Sequence, residues 1–483
     1  MFSTQFSSPD NPRNAALVGA AIGILGGVLA LLIVLLEPVM AFGLVIGLAV
    51  GLYVLTDLHG ALYVMIGVIA LLPFGTLPFE IAVTPTLLDA ALGGFLLVYA
   101  MQWMTGQRRL FRATPVTPLV LGFILLMIFA FLMGLRHAPM TPRVLRNVLE
   151  MVLSLLLIPV LVDVMRDAQH IRRAVVALAL WGAAAAVVGI VLWLLPDFTA
   201  ESILNRLGRL GYPVGGVIRY RQTSGAILNE RAIGTWVDPN AFGGFLLMLG
   251  ALIVPQIFTP RPIMRRPLAA ALFGLIAVAL FLTDSRGSML SLGAALAFIA
   301  VLRYPKLLLI MLLVVIIAFF LPFTQRYIDK LAAGLSGEDV ETQMRFGEYR
   351  DALRLIGRHP VIGVGFSGTP EIDLYLGVAN TYLTIASHAG FVGLAAYLLM
   401  FGGAFAYSFR HLRRIQADLD LSDVWLGLAA ALAGALVGGM FDHFYFKIDQ
   451  FHAPMTIVWI LFGLMLAATR LAADSSTPAR TGE

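Results

Sequence analysis

The sequence predicts an all-α, polytopic integral membrane protein of about 14 transmembrane helices, with a large extracytoplasmic loop before the last three spans. Three observations predict it. Of 483 residues, 59% are hydrophobic and only 13% are charged; a soluble domain carries about a quarter charged residues, so there is too little charge to cover a soluble surface. Apolar stretches of the ~20 residues that cross a bilayer as a helix recur along the chain. Short basic loops follow the even-numbered stretches from the fourth to the twelfth. This balance excludes a soluble globule, a disordered chain and a nucleic-acid binder. The net charge of +5 is the surplus of loop arginines that anchors the cytoplasmic side. Cysteine is absent, which excludes disulfides, thiolate metal sites and cysteine nucleophiles.

In order, residues 1–13 are polar and read as a cytoplasmic tail rather than a signal peptide. The N-terminal transmembrane region, 14–195, holds spans near 15–36, 38–55, 59–74, 84–104, 117–135, 146–165 and 174–195. The core region, 196–410, holds spans near 240–258, 268–284, 287–303, 305–322 and 384–408. The C-terminal region, 411–473, adds 424–441 and 454–473, and 474–483 is a second cytoplasmic tail. Arg108, Arg109 and Arg112 follow the fourth span. Arg166, Arg172 and Arg173 follow the sixth, Arg261, Arg265 and Arg266 the eighth, Arg303 and Lys306 the tenth, and Arg410, Arg413 and Arg414 the twelfth. This alternation predicts both termini in the cytoplasm.

Two long polar segments, 196–239 and 323–378, then lie outside the cytoplasm. Loops of that length are uncommon unless functional. The first carries Arg206, Arg209, Arg219, Arg221 and Arg231; the second carries Arg326, Lys330, Arg345, Arg350, Arg354 and Arg358; a shorter one holds Arg136, Arg143 and Arg146. A single arginine of this kind is ordinarily a solvated surface charge. As a set they suit an anionic, membrane-bound ligand, because guanidinium grips phosphate bidentately. Charge inside the spans is sparse. Asp89 lies in the fourth, and Arg146 and Glu150 sit one turn apart in the sixth, where they can pair.

Three stretches carry chemistry. From Arg231 to Phe242, Asp238 and Pro239 form a helix start, placing Arg231 and Asn240 near its positive end, where an anion is favoured. Thr283 to Ser288 is a very tight turn between two spans that fixes Arg286 at the membrane surface, either as a snorkelling anchor or as a ligand group. From Arg345, an amphipathic helix runs to His359 and Pro360, a glycine turn follows at Gly363 and Gly365, and Ala379-Asn380 opens a helix carrying His388, Gly390 and Gly393.

Together these stretches, over residues 225–410, resemble the superfamily of O-antigen ligases and O-antigen polymerases, membrane glycosyltransferases. The resemblance implies a polyprenyl-pyrophosphate-linked glycan donor, a glycan or lipid-glycan acceptor, membrane lipids as surroundings, no nucleic acid and no cofactor or metal. It implies transfer or polymerisation at the outer face of the bacterial-type cytoplasmic (inner) membrane, in cell-surface polysaccharide biosynthesis. It makes Arg231 and Arg286 the catalytic, pyrophosphate-facing residues, with Arg219, Arg221, Arg345, Asn240, Asn380 and His388 as substrate-binding residues. One departure stands out: ligases of the family carry a histidine where this chain has Ala379, which favours the polymerase type. His388 is about half a turn out of phase with position 379. Asp373, Glu371, His443 and His452 are the other candidate bases. The alternative function is a lipid-linked oligosaccharide flippase or another multi-span transporter. Such a protein lines its central cavity with charge and often shows repeated halves, neither of which is visible here.

Overall fold

The computed structural model describes residues 47, 51, 57–77, 83–223, 226–321, 340–368, 377–446 and 452–474. The chain divides into two compact units, 1–64 and 65–483. In the first, the carboxylate of Asp57 accepts from the backbone N–H of His59 (3.1 Å) and Gly60 (2.9 Å). It thereby starts helix α1, Leu58–Leu71, whose C-terminal half belongs to the second unit.

The second unit continues with α2 (Leu87–Met104), α3 (Thr117–Gly134), α4 (Pro142–Val164), α5 (Ala168–Leu194) and the short α6 (Asp197–Arg206). After a hairpin come α7 (Pro239–Ile253), its one-turn continuation α8 (Pro255–Phe258), α9 (Arg266–Leu282), α10 (Arg286–Leu302) and α11 (Lys306–Phe320). Then follow α12 (Val340–Arg358), α13 (Thr381–Arg410), α14 (Leu412–Ala417), α15 (Ser422–Gly438) and α16 (His452–Asp474). An apolar helix stands at each expected span from the third to the fourteenth. Seven are long and apolar enough to cross a membrane among the described residues: α2, α3, α4, α5, α7 with α8, α13 and α16. The other five, α1, α9, α10, α11 and α15, are shorter. The first two expected spans lie outside the described residues apart from Gly47 and Gly51, so twelve apolar helices stand where fourteen spans are expected.

Several helices begin earlier than hydropathy suggests, because capping sets their starts. Thr141 accepts from Val144 N and opens α4; Asp167 accepts from His170 N and opens α5. The segment 196–239 is not a plain loop, and the all-α expectation needs one correction. Strands β1 (Arg219–Thr223) and β2 (Ala226–Arg231) pair antiparallel, with Arg219 opposite Arg231. The pairing satisfies backbone groups that a loop would leave to water, and Leu192, Leu204, Val217 and Ile233 form a small buried cluster beside it.

α16 and α7 are apolar on all sides and almost wholly enclosed, as expected of helices at the centre of a bundle. α16 packs on α4 and α15, and α15 packs on α7 and α10. Trp459 sits among Phe401, Phe462 and Tyr397, and Trp236 stacks on Phe245 at 4.5 Å. The loops of this unit gather at two ends. At one, Arg108 pairs with the fully buried Asp163 (3.0 Å), Arg303 with Asp423 (3.3 Å) and Arg172 with Asp420, and Arg470 donates to Met165 O. Of these, Arg108, Arg172 and Arg303 belong to the basic loops that follow even-numbered expected spans, and Arg470 lies near the end of α16. The hairpin, the α9–α10 turn and the starts of α7 and α13 meet at the other.

Candidate functional site

Two helix starts and one amphipathic helix frame a cavity of about 290 Å³ at that second end. Asp238 caps α7 by accepting from Asn240 N (2.8 Å) and Ala241 N (3.0 Å), and Pro239 fills the first helical position, as the sequence predicts. α9 ends at Leu282 and α10 begins at Arg286, so the turn between them is three residues long. No side chain caps the first turn of α10, which leaves its positive end facing the cavity without a neutralising carboxylate on the N-cap. Among the described residues, the two non-glycine residues with positive φ are Val237 (62°) and Asp284 (52°). They sit one residue before the caps of α7 and α10. Strained backbone of this kind gathers at functional sites.

The expected site residues fall into three groups. Arg286, Asn240 and Arg345 line the cavity. Arg231 stands behind Asn240: its Nη2 donates to Asn240 Oδ1 (2.6 Å), and its Nε donates to Thr283 O (2.8 Å). One guanidinium thus ties the end of β2 to the start of α7 and to the turn that carries Arg286. The planar fork makes this double attachment possible; a lysine has no such geometry. Arg345, on α12, also donates through Nη1 to Phe441 O (2.6 Å) and so holds the chain that follows α15.

Asn380 lies beside the cavity in a structural post. Its Oδ1 accepts from Leu383 N (3.0 Å), capping α13, and its Nδ2 donates to Met440 O (3.0 Å). The neighbouring Ala379 is gripped through its backbone, donating to Glu348 Oε2 (3.0 Å) and accepting from Tyr349 Oη (3.2 Å). Burial pushes the Tyr349 phenol above its ordinary value, so it stays protonated as that bond requires.

Arg219 and His388 do not line the cavity. Arg219 is exposed and within reach of Val237 O (3.4 Å). The side chain of Arg221 lies outside the described residues; its backbone pairs with Asn229 in the hairpin. His388 Nδ1 bonds Gly365 O (2.6 Å), and its ring lies against Phe366. Around it, Phe391 N and Val392 N donate to Pro360 O and Val361 O, while Val364 N and Gly365 N donate to Ser387 O and His388 O. The glycine-rich turn after Pro360 therefore buckles onto a break in α13 at Gly390, where φ is 68° and ψ −173°. Of the other candidate bases, Asp373 and Glu371 lie outside the described residues. His452 is buried 3.6 Å from Glu150. That carboxylate also pairs with Arg146 (3.8 Å), as the sequence suggests, and Arg146 reaches Asp89 (3.7 Å). His443 lies 3.2 Å from Asp442. Among the described residues no cluster of three or more His, Asp or Glu could hold a metal ion.

Sequence reasoning missed Asp442, Tyr349 and Ser288 on the cavity wall. Tyr349 shares the expected amphipathic helix with Arg345 and follows it by four positions, one turn along the same face; that spacing could have marked it. Asp442 comes from a turn some 60 residues beyond Asn380, and no local signal joins the two.

Residues 270–398 match the family model described as O-antigen ligase, Wzy_C. Over that region the chain is similar to the O-antigen ligases. The matched region runs from α9 to α13 and contains Arg286, Arg345, Asn380 and His388; Asn240 on α7 and Asp442 in the turn after α15 line the cavity from outside it, and Arg231 at the end of β2 braces Asn240. No curated protein matches the chain. Among solved structures, one chain is aligned over 74% of this chain and 97% of its own length at 16% identity, with a TM-score of 0.40. It comes from the structure titled "Structural coordination of polymerization and crosslinking by a peptidoglycan synthase complex".

Proposed function

We propose that this O-antigen ligase-like membrane protein transfers or polymerises glycans from a polyprenyl-pyrophosphate donor at the outer face of the cytoplasmic membrane, in cell-surface polysaccharide biosynthesis. The observation that carries the reading is the cavity where Arg286, Arg345 and the Arg231-braced Asn240 meet the positive end of α10. Guanidinium groups and helix N-termini together form an anion site, and at the end of a membrane-spanning bundle the fitting anion is a lipid pyrophosphate. The basic loops gathered at the opposite end support an extracytoplasmic cavity, because Lys and Arg concentrate in cytoplasmic loops.

In the proposed reaction a sugar hydroxyl of the acceptor attacks the anomeric carbon of the donor glycan. The bond from that carbon to the pyrophosphate breaks, with inversion, and negative charge gathers on the leaving group. Arg286 stabilises that charge from the first turn of α10. Arg231 holds Asn240 and the α9–α10 turn in register. Arg345 and Tyr349 bring α12, from the expected outer loop 323–378, over the cavity as a glycan-facing wall. Preorganised charge opposite a developing oxyanion is worth ~3–4 kcal/mol per donor. Ala379, in the place of the ligase histidine, favours the polymerase type.

The test is reconstitution in liposomes with a polyprenyl-pyrophosphate oligosaccharide, with and without a second acceptor. A ladder of products from the donor alone marks a polymerase, and product only with the second acceptor marks a ligase. Movement of the donor across the bilayer without a new glycosidic bond would replace this reading with a flippase.

A further inference from the structure

Glycosyl transfer to a hydroxyl also needs a group to take the hydroxyl's proton, and the side chain at position 379 is a methyl. Two carboxylates line the cavity, Asp284 and Asp442. Asp284 is buried in the strained turn beside Arg286, at 6% exposure, where it neighbours the leaving-group side of the proposed reaction. Asp442 stands on a different element, after α15. Its main chain is fixed twice to the start of α13: Thr381 N donates to Asp442 O (3.1 Å), and Thr381 Oγ1 donates to the same oxygen (2.9 Å). The preceding residue is held by Arg345. Its carboxylate is oriented through Oδ1, which accepts from His443 N (2.7 Å); no described residue donates a hydrogen bond to Oδ2. A cavity-lining carboxylate with one oxygen pinned and the other bonded by no described residue has the construction of a general base.

We propose that Asp442 is the general base of the transfer, rebuilt from the turn after α15, whose main chain is bonded to Thr381, two positions along the chain from the alanine that cannot serve. This rests on the glycosyltransferase reading above. The acceptor O–H loses its proton to Asp442 Oδ2 as its oxygen bonds to the anomeric carbon. The electron pair of the broken carbon–oxygen bond leaves with the pyrophosphate, and the protonated carboxyl returns its proton to water. Asp442 sits on the acceptor's side of the cavity, and Arg286 on the donor's.

The test uses the full chain in liposomes with a polyprenyl-pyrophosphate oligosaccharide. Asp442→Asn keeps an oxygen to accept from His443 N but removes the base. Turnover should fall about a hundredfold or more, while the donor's Kd stays within about threefold of wild type. Asp442→Glu should recover at least a tenth of wild-type turnover, and formate should partly restore an Asp442→Gly variant. Three outcomes overturn the proposal: Asp442→Asn turning over within threefold of wild type, donor affinity falling in step with turnover, or Asp442→Glu and formate both failing to restore activity. A loss confined to Asp284→Asn would assign the proton to the other carboxylate. If wild type makes no glycosidic bond at all, it is the glycosyltransferase reading that fails.

Discussion

Gly390→Ala should be among the most damaging conservative changes in the chain, and the structure sets the scale. At φ 68° and ψ −173°, this backbone lies in a region essentially reserved for glycine, and a side chain there costs ~1–3 kcal/mol. A Cβ on residue 390 would stand 2.1 Å from Val361 O and 2.5 Å from Ile362 N. Both are backbone atoms, held by the bonds between the Pro360 turn and α13, so neither can swing aside. Overpacking of this kind costs a further ~1–3 kcal/mol, and the sum is about 4 kcal/mol. Gly402 is the internal control: it lies in the same helix, and a Cβ there meets nothing within 4 Å. Gly402→Ala should leave stability unchanged or raise it by up to ~1 kcal/mol, from helix propensity alone. The assay is thermal unfolding of both variants and wild type in one detergent. A Gly390→Ala protein that melts with Gly402→Ala would refute the reasoning, because the break in α13 would then not be needed to seat the turn.

Two further outcomes follow from the same geometry. Asn380→Ala removes the cap of α13, worth ~1 kcal/mol, and the bond to Met440 O, worth ~1 kcal/mol more. A thermal melt should show a destabilisation of about 2 kcal/mol, and a variant as stable as wild type would contradict the structural post given to Asn380. Glu230 is held up at about 7, first by burial and then by nearby Asp197. Its folded-state value is therefore above that of the unfolded chain. The favourable contribution is fully present below the ordinary carboxylate range and is lost as pH rises through about 7. Trp193 Nε1 donates to Glu230 O (3.2 Å), so tryptophan fluorescence should report hairpin loosening with a midpoint near pH 7, and Glu230→Gln should flatten it. A titration unchanged in that variant would assign the midpoint to another group.

The bundle was legible because it obeys local rules. Apolar length marked each of the twelve described apolar helices from α1 onward, Asp238-Pro239 marked the start of α7, and the three-residue turn before Arg286 followed from two adjacent spans. Capping by Thr141 and Asp167 moved helix starts that hydropathy alone placed too late. The hairpin was hidden because Arg219 to Arg231 reads as polar loop; its pairing is fixed by backbone bonds rather than by an apolar face. Arg286 stood out in the tight turn between two spans, and Arg231 in the stretch that leads into the Asp238-Pro239 helix start. The cavity itself could not be assembled from spacing, because Arg345 and Asp442 meet only after α12 and the turn beyond α15 have packed. His388 was singled out by motif, and its bond to Gly365 O depends on a turn more than twenty residues earlier in the chain.

The claim that the transfer chemistry occurs in the Arg286 cavity is tested most directly by comparing turnover in two arginine variants. Arg286→Ala removes the cation at the start of α10, and Arg206→Ala removes an exposed arginine from α6, outside the cavity wall. With glycan transfer measured in liposomes, the account predicts a loss of about a hundredfold or more for Arg286→Ala and a change of less than about threefold for Arg206→Ala. Equal effects of the two, or an Arg286→Ala protein that turns over normally, would contradict it.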